Sequence, residues 1–116
     1  MRLFAATAAA FALAGVALAS APPVGPLPKP KVTALKTTRG SLFSIALPVR
    51  NGGYVWRIAR AYNHRVVGQV GEGDIGPTIV LVFRAVGRGR TSIVVAETKG
   101  ETARAYRAVR YEVTVG

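Results

Sequence analysis

From Lys31 to Val115 apolar residues return at every second position, and that period selects strands. Phe43, Ile45 and Leu47 alternate with Ser44 and Ala46, and Tyr54, Trp56 and Ile58 alternate with Val55, Arg57 and Ala59. Successive side chains of an extended chain point to opposite faces, so a two-residue period lays one apolar face on a core. Val32, Ala34 and Lys36 open a first strand, and Val66 to Val70 reads as a short fourth. Thr78 to Val86 is the strongest strand, with Ile79, Leu81 and Phe83 on one face and Val80 and Val82 on the other. Two apolar faces predict a central strand buried on both sides. Thr91 to Ala96 follows, around Ile93-Val94-Val95. Ala105, Val109, Tyr111, Val113 and Val115 carry the alternation to the end. Residues 103–109 also have helix propensity, but the alternation running on into Tyr-Glu-Val-Thr-Val favours strand.

Breakers separate these runs. Arg39-Gly40 is a turn, Pro48 ends the second strand, and Asn51-Gly52-Gly53 is a loop. Gly71 to Pro77 reads as a long loop, because it is rich in glycine. Gly87-Arg88-Gly89-Arg90 is a tight turn, and Thr98 to Ala103 is a loop around Gly100. About seven short antiparallel strands, with a turn signal roughly every ten residues, define an all-β chain of the immunoglobulin-like β-sandwich type. There is no internal repeat.

The N-terminus reads differently. Met1-Arg2 precedes an uncharged stretch, Leu3 to Leu18, and Ala17-Leu18-Ala19 fits the small-x-small rule of signal-peptidase cleavage. Residues 1–19 are therefore expected to be a signal peptide. The alternative cut after Ala21 would leave Pro22 beside the scissile bond, which suits a peptidase poorly. As a membrane anchor the stretch is short and made mostly of weakly apolar alanine. The chain has no cysteine, so neither a lipid-anchored cysteine nor a disulfide is possible. An exported domain without disulfides has to be held by its core. Cysteine-free export points to a bacterial periplasm or to secretion. Residues 20–30 hold five of the seven prolines and read as an extended, mobile linker. Residues 31–116 form the single domain; the chain is too short for two.

Little catalytic equipment is present. His64 is the one histidine, and none of Ser41, Ser44 and Ser92 lies in a nucleophile elbow. Five carboxylates and one histidine do not compose a transition-metal site. Glu72 and Asp74 are spaced to share a calcium ion or act as an acid–base pair, but two solvated charges are the simpler reading. Gly71-x-Gly73-x-x-Gly76 has a dinucleotide spacing, but lacks the following helix and sets carboxylates where phosphate would bind. No enzyme activity and no cofactor are expected.

A sandwich without such groups acts by binding, through the loops at one end. Counting antiparallel strands sends Pro48 to Gly53, Gly71 to Pro77 and Thr98 to Arg104 to the same end. Arg39-Gly40 and Gly87 to Arg90 go to the other.

The order of residues resembles the chagasin-type inhibitors of papain-like cysteine peptidases. The shared features are Gly53-Tyr54-x-Trp56, a glycine-rich loop running into Thr78, Phe83-x-Ala85, Gly89, and a closing Tyr111-x-Val113-x-Val115. The resemblance spans Ser41 to Val115 and implies an immunoglobulin-like sandwich that inserts three loops into a peptidase cleft. It implies that Asn51, Gly52, Gly53, Tyr54, Gly76, Pro77, Thr78, Lys99 and Gly100 form the binding edge, with Trp56, Phe83 and Tyr111 in the scaffold. The loops depart from the family pattern. Its Asn-Pro-Thr-Thr-Gly-Tyr stands here as Val49-Arg50-Asn51-Gly52-Gly53-Tyr54, its Gly-Gly-Thr as Gly76-Pro77-Thr78, and its Arg-Pro-Trp as Lys99-Gly100-Glu101.

Charge offers a different partner. The formal charge is +11, and loss of Arg2 would leave +10. The positive residues are scattered, without the basic run of a nucleic-acid tail. An anionic envelope polymer or an acidic protein bound through Arg57, Arg60, Arg84 and Arg107 is the alternative to a peptidase. A sandwich edge accepting an added strand is a third route. Nucleic acid is not expected, nor a membrane span after signal cleavage.

Overall fold

The computed structural model describes residues 22–116, all of them strand, turn or irregular chain. The expected signal peptide lies outside the described residues, among which no helix is long and apolar enough to cross a membrane. Seven strands run in the order β1 (Lys31–Thr37), β2 (Leu42–Pro48), β3 (Tyr54–Ile58), β4 (Val67–Ile75), β5 (Thr78–Ala85), β6 (Gly89–Lys99) and β7 (Ala105–Val115). They form two sheets, β1-β7-β6-β3 and β2-β5-β4. All neighbours are antiparallel except β1 and β7, which are parallel. The immunoglobulin-like sandwich is thus the observed architecture.

The alternation decides which side chains meet between the sheets. Ile45 and Leu47 from β2, Trp56 from β3, Leu81 and Phe83 from β5, Ile93 and Val95 from β6, and Val113 and Val115 from β7 share one core. Phe83 is fully enclosed, stacked on Phe43 at 5.6 Å between ring centroids and met edge-on by Tyr62 at 5.8 Å. Tyr111 packs against the same core from its half-buried margin.

Gly89-Arg90, expected in a turn, and Thr98-Lys99, expected in a loop, are the two ends of β6, and two larger strand expectations need correction. Gly71 to Ile75 is strand, not loop: β4 continues through it and pairs with β5, from Gly71 opposite Val82 to Ile75 opposite Thr78. The ladder is made by backbone groups, which glycine supplies as well as any residue, and the register shift between Gln69 and Gly71 absorbs one irregularity as a bulge. Only Gly76-Pro77 remains as the hairpin turn, with Gly76 at φ 58°. The second correction concerns burial. β5 is central, but Val80 and Val82 are only half-buried. The strand buried on both faces is β6, where every residue from Ile93 to Thr98 is enclosed.

A segment that precedes the first strand is docked on the domain. Residues 22–25, read as mobile linker, lie against the domain. Val24 is 7% exposed, Gly25 N–H donates to Ala103 O at 2.8 Å, and Arg60 donates to Val24 O and Gly25 O. Arg57, opposite Ala96 in the β3–β6 register, donates to Pro22 O. Val24, Val94, Ala96 and Ala108 are all buried yet stand apart from the main core cluster. Proline-rich composition describes how a free chain behaves; it carries no information about bonding partners such as Arg60 and Ala103 that lie far along the chain.

Candidate functional site

The loops between β2 and β3, β4 and β5, and β6 and β7 gather at one end of the sandwich. Val49 N–H donates to Pro77 O at 2.8 Å, joining the first loop to the β4–β5 turn. Gly100 N–H donates to Gly53 O at 2.8 Å, joining the third loop to the first. At the opposite end, Gly40 N–H bonds Ala85 O and Arg39 N–H bonds Gly116 O. The three-loop edge expected from strand counting therefore exists as one bonded unit.

Asn51, Gly52 and Gly53 are exposed at its apex, and Gly52 (φ 108°) and Gly53 (φ 82°) occupy backbone conformations that favour glycine. Gly76 and Pro77 are exposed, and Thr78 is half-buried where β5 starts. Lys99 is exposed and Gly100 half-buried. Thr98 Oγ1 donates to Gly100 O at 2.6 Å and Thr102 Oγ1 to Lys99 O at 2.9 Å, which stiffens the third loop from within. Ile75, exposed at 69% beside the turn, is an apolar side chain on this edge that the reading of Gly71 to Pro77 as a loop passed over.

Behind the edge stand the aromatic residues. Trp56 is buried and its indole N–H donates to Pro48 O at 2.8 Å, fixing the point where the first loop leaves β2. Tyr54 is half-buried, with the Arg50 guanidinium 3.8 Å from its ring centroid and Tyr106 edge-on at 5.3 Å. A Cβ on Gly52 would lie 3.0 Å from Tyr54 Cε2, so the loop apex rests on that ring.

Sequence reasoning missed the ion cluster beneath. Glu97 lies on β6 with its side chain 1% exposed, and two arginines fork onto it. Arg107, opposite it on β7, donates from Nε to Oε1 at 3.0 Å and from Nη2 to Oε2 at 2.8 Å. Arg50, in the first loop, donates from Nε to Oε2 at 3.2 Å and from Nη2 to Oε1 at 2.8 Å. Hydrogen bonds from Arg107, joined by those from Arg50, hold the carboxyl below the usual carboxylate range although burial pushes it upward. The signal was present: Glu97 shares the parity of Ile93 and Val95, and a carboxylate on a core-facing position requires a cation partner.

Other candidates stay apart. His64 is exposed, its ring 4.5 Å from that of Tyr62. Glu72 and Asp74 are exposed on β4, and among the described residues no three His, Cys, Asp or Glu side chains cluster as metal ligands. Of the arginines named for an anionic partner, Arg107 is paired with Glu97. Arg57 donates to Thr102 O and Pro22 O, Arg60 to Val24 O and Gly25 O, and Arg84 to Gly40 O at 3.4 Å.

No protein-family model and no curated protein matches the sequence. Among solved structures the chain is similar to the cysteine protease inhibitor EhICP2 from Entamoeba histolytica. The TM-score is 0.54 at 18% identity, over 77% of this chain and 99% of that one. The fold is therefore the chagasin-like, immunoglobulin-like sandwich of that inhibitor.

Proposed function

We propose that the protein is an exported inhibitor of papain-like cysteine peptidases, without catalytic activity of its own, acting in a periplasm or outside the cell. The observation that carries this reading is the single edge made from three loops by the Val49–Pro77 and Gly100–Gly53 backbone bonds. Likeness of fold to a cysteine protease inhibitor supports it. The mechanism is steric. Asn51, Gly52 and Gly53 enter the cleft, flanked by Gly76, Pro77 and Thr78 on one side and Lys99 and Gly100 on the other. Glycines at the apex let backbone amides approach the cleft wall closely. Loops already bonded to one another lose little freedom on binding, so less of the contact energy is spent on ordering them. A polymer drawn by charge would instead have to compete with intramolecular partners at Arg57, Arg60 and Arg107.

The test is titration of the chain from Ser20 to Gly116 against papain with a fluorogenic peptide substrate at moderate salt. Competitive, reversible inhibition is expected. Undiminished papain activity at a large molar excess would reject papain-like enzymes as the target. Salt-sensitive binding to an anionic polymer would then favour the charge-driven alternative.

A further inference from the structure

We infer that Glu97, buried beneath the edge, is a positioning residue that fixes the conformation of the first loop through Arg50; its role in inhibition rests on the peptidase reading above. Arg107 alone, directly across the ladder, already neutralises the Glu97 carboxylate and bonds both of its oxygens. Arg50 comes from 47 residues away in sequence and adds a second fork to the same two oxygens. The cluster is thereby left with one net positive charge, so neutralisation does not account for the second arginine. What Arg50 adds is a fixed point in the loop.

The loop is then held residue by residue. Pro48 O is bonded by Trp56, Val49 N–H by Pro77 O, the Arg50 side chain by Glu97, and Gly53 O by Gly100 N–H. Asn51 and Gly52 form the apex between these anchors. The same Arg50 guanidinium lies over the Tyr54 ring, 3.8 Å from its centroid, and Gly52 rests against that ring. A planar fork on a buried carboxylate sets both distance and orientation, which a lysine in place of Arg50 would not do. Both arginines are nearly half exposed, so solvent screens the pairs and limits their net stabilisation, which suits a role in specifying one conformation.

Three variants separate positioning from general stability, read by amide hydrogen exchange over Asn51 to Tyr54, by urea unfolding and by papain inhibition. Arg50→Ala leaves the Glu97–Arg107 pair intact. It is expected to speed exchange across the apex and to weaken inhibition by about tenfold, as the binding-competent loop population falls. Glu97→Gln is expected to do the same with a larger loss of stability. Arg107→Ala, which leaves Arg50 on Glu97, is expected to lower stability while loop exchange stays near that of the parent chain. The inference is overturned if Arg50→Ala leaves loop exchange unchanged, or if Arg107→Ala loosens the loop as much as Arg50→Ala does. If the parent chain fails to inhibit papain but the exchange pattern is as expected, the peptidase reading fails and the positioning role stands.

Discussion

Removing residues 20–25, so that the chain starts at Pro26, tests whether the proline-rich segment belongs to the folded domain. Burial of Val24 contributes about 2–3 kcal/mol. The Gly25–Ala103 bond and the arginine bonds to Pro22 O, Val24 O and Gly25 O together add roughly 2 kcal/mol, since each competes with water. Against this gross figure of roughly 5 kcal/mol stands the entropy of ordering the segment, about 4 kcal/mol for four residues, two of them proline. The net loss on truncation is therefore about 1 kcal/mol, a fall in Tm of roughly 4–8 °C for a domain of this size. Thermal unfolding by circular dichroism measures it. The same segment holds the third loop, through Gly25 on Ala103 and through Arg57, which reaches both Pro22 O and Thr102 O. Limited trypsin digestion should therefore cut after Lys99 or Arg104 faster in the truncated chain. Equal Tm and equal cleavage in the two chains would refute the docking of residues 22–25 as a source of stability and loop order.

Phe83→Ala should cost about 3–5 kcal/mol in urea unfolding, because it empties a fully enclosed ring site between Phe43 and Tyr62. Gly87→Ala should destabilise by about 1–3 kcal/mol, since the new Cβ would stand 2.5 Å from the backbone oxygen of Arg65; Gly71→Ala, where a Cβ meets nothing within 4 Å, serves as the mild comparison in the same unfolding series. On the acid side, Glu97 is held below its ordinary 4.5, so its contribution is complete above about pH 4.5 and is lost as the pH falls through the lowered value. Unfolding curves measured down to about pH 2 should show that loss, and Glu97→Gln should flatten it. On the alkaline side, burial raises Tyr111 above 10.0, so the folded chain keeps a proton that the unfolded chain releases. Stability should fall as the pH rises past about 10, and Tyr111→Phe should remove that part of the slope.

The fold was legible because a sandwich is written in a two-residue period. Ile45, Leu47, Trp56, Leu81 and Phe83 point inward simply because their neighbours in the chain do not, and that rule needs no partner strand to be known. The gathering of the three loops followed from counting strands, since each antiparallel connection returns the chain to the opposite end. Composition misled where backbone pairing decided the outcome: Gly71 to Ile75 became strand because β5 lay beside it, offering a complete ladder.

The sequence by itself determined the alternation, most of the turn sites and hence the sandwich with its three-loop edge, since these depend on local side-chain direction and backbone freedom. Tertiary structure alone decided what holds that edge. Arg50 meets Glu97 across 47 residues, and Val24 is buried with its carbonyl bonded by Arg60 from 36 residues away. Which cation answers a buried carboxylate, and where a proline-rich segment docks, are set by distances that exist only once the two sheets have packed.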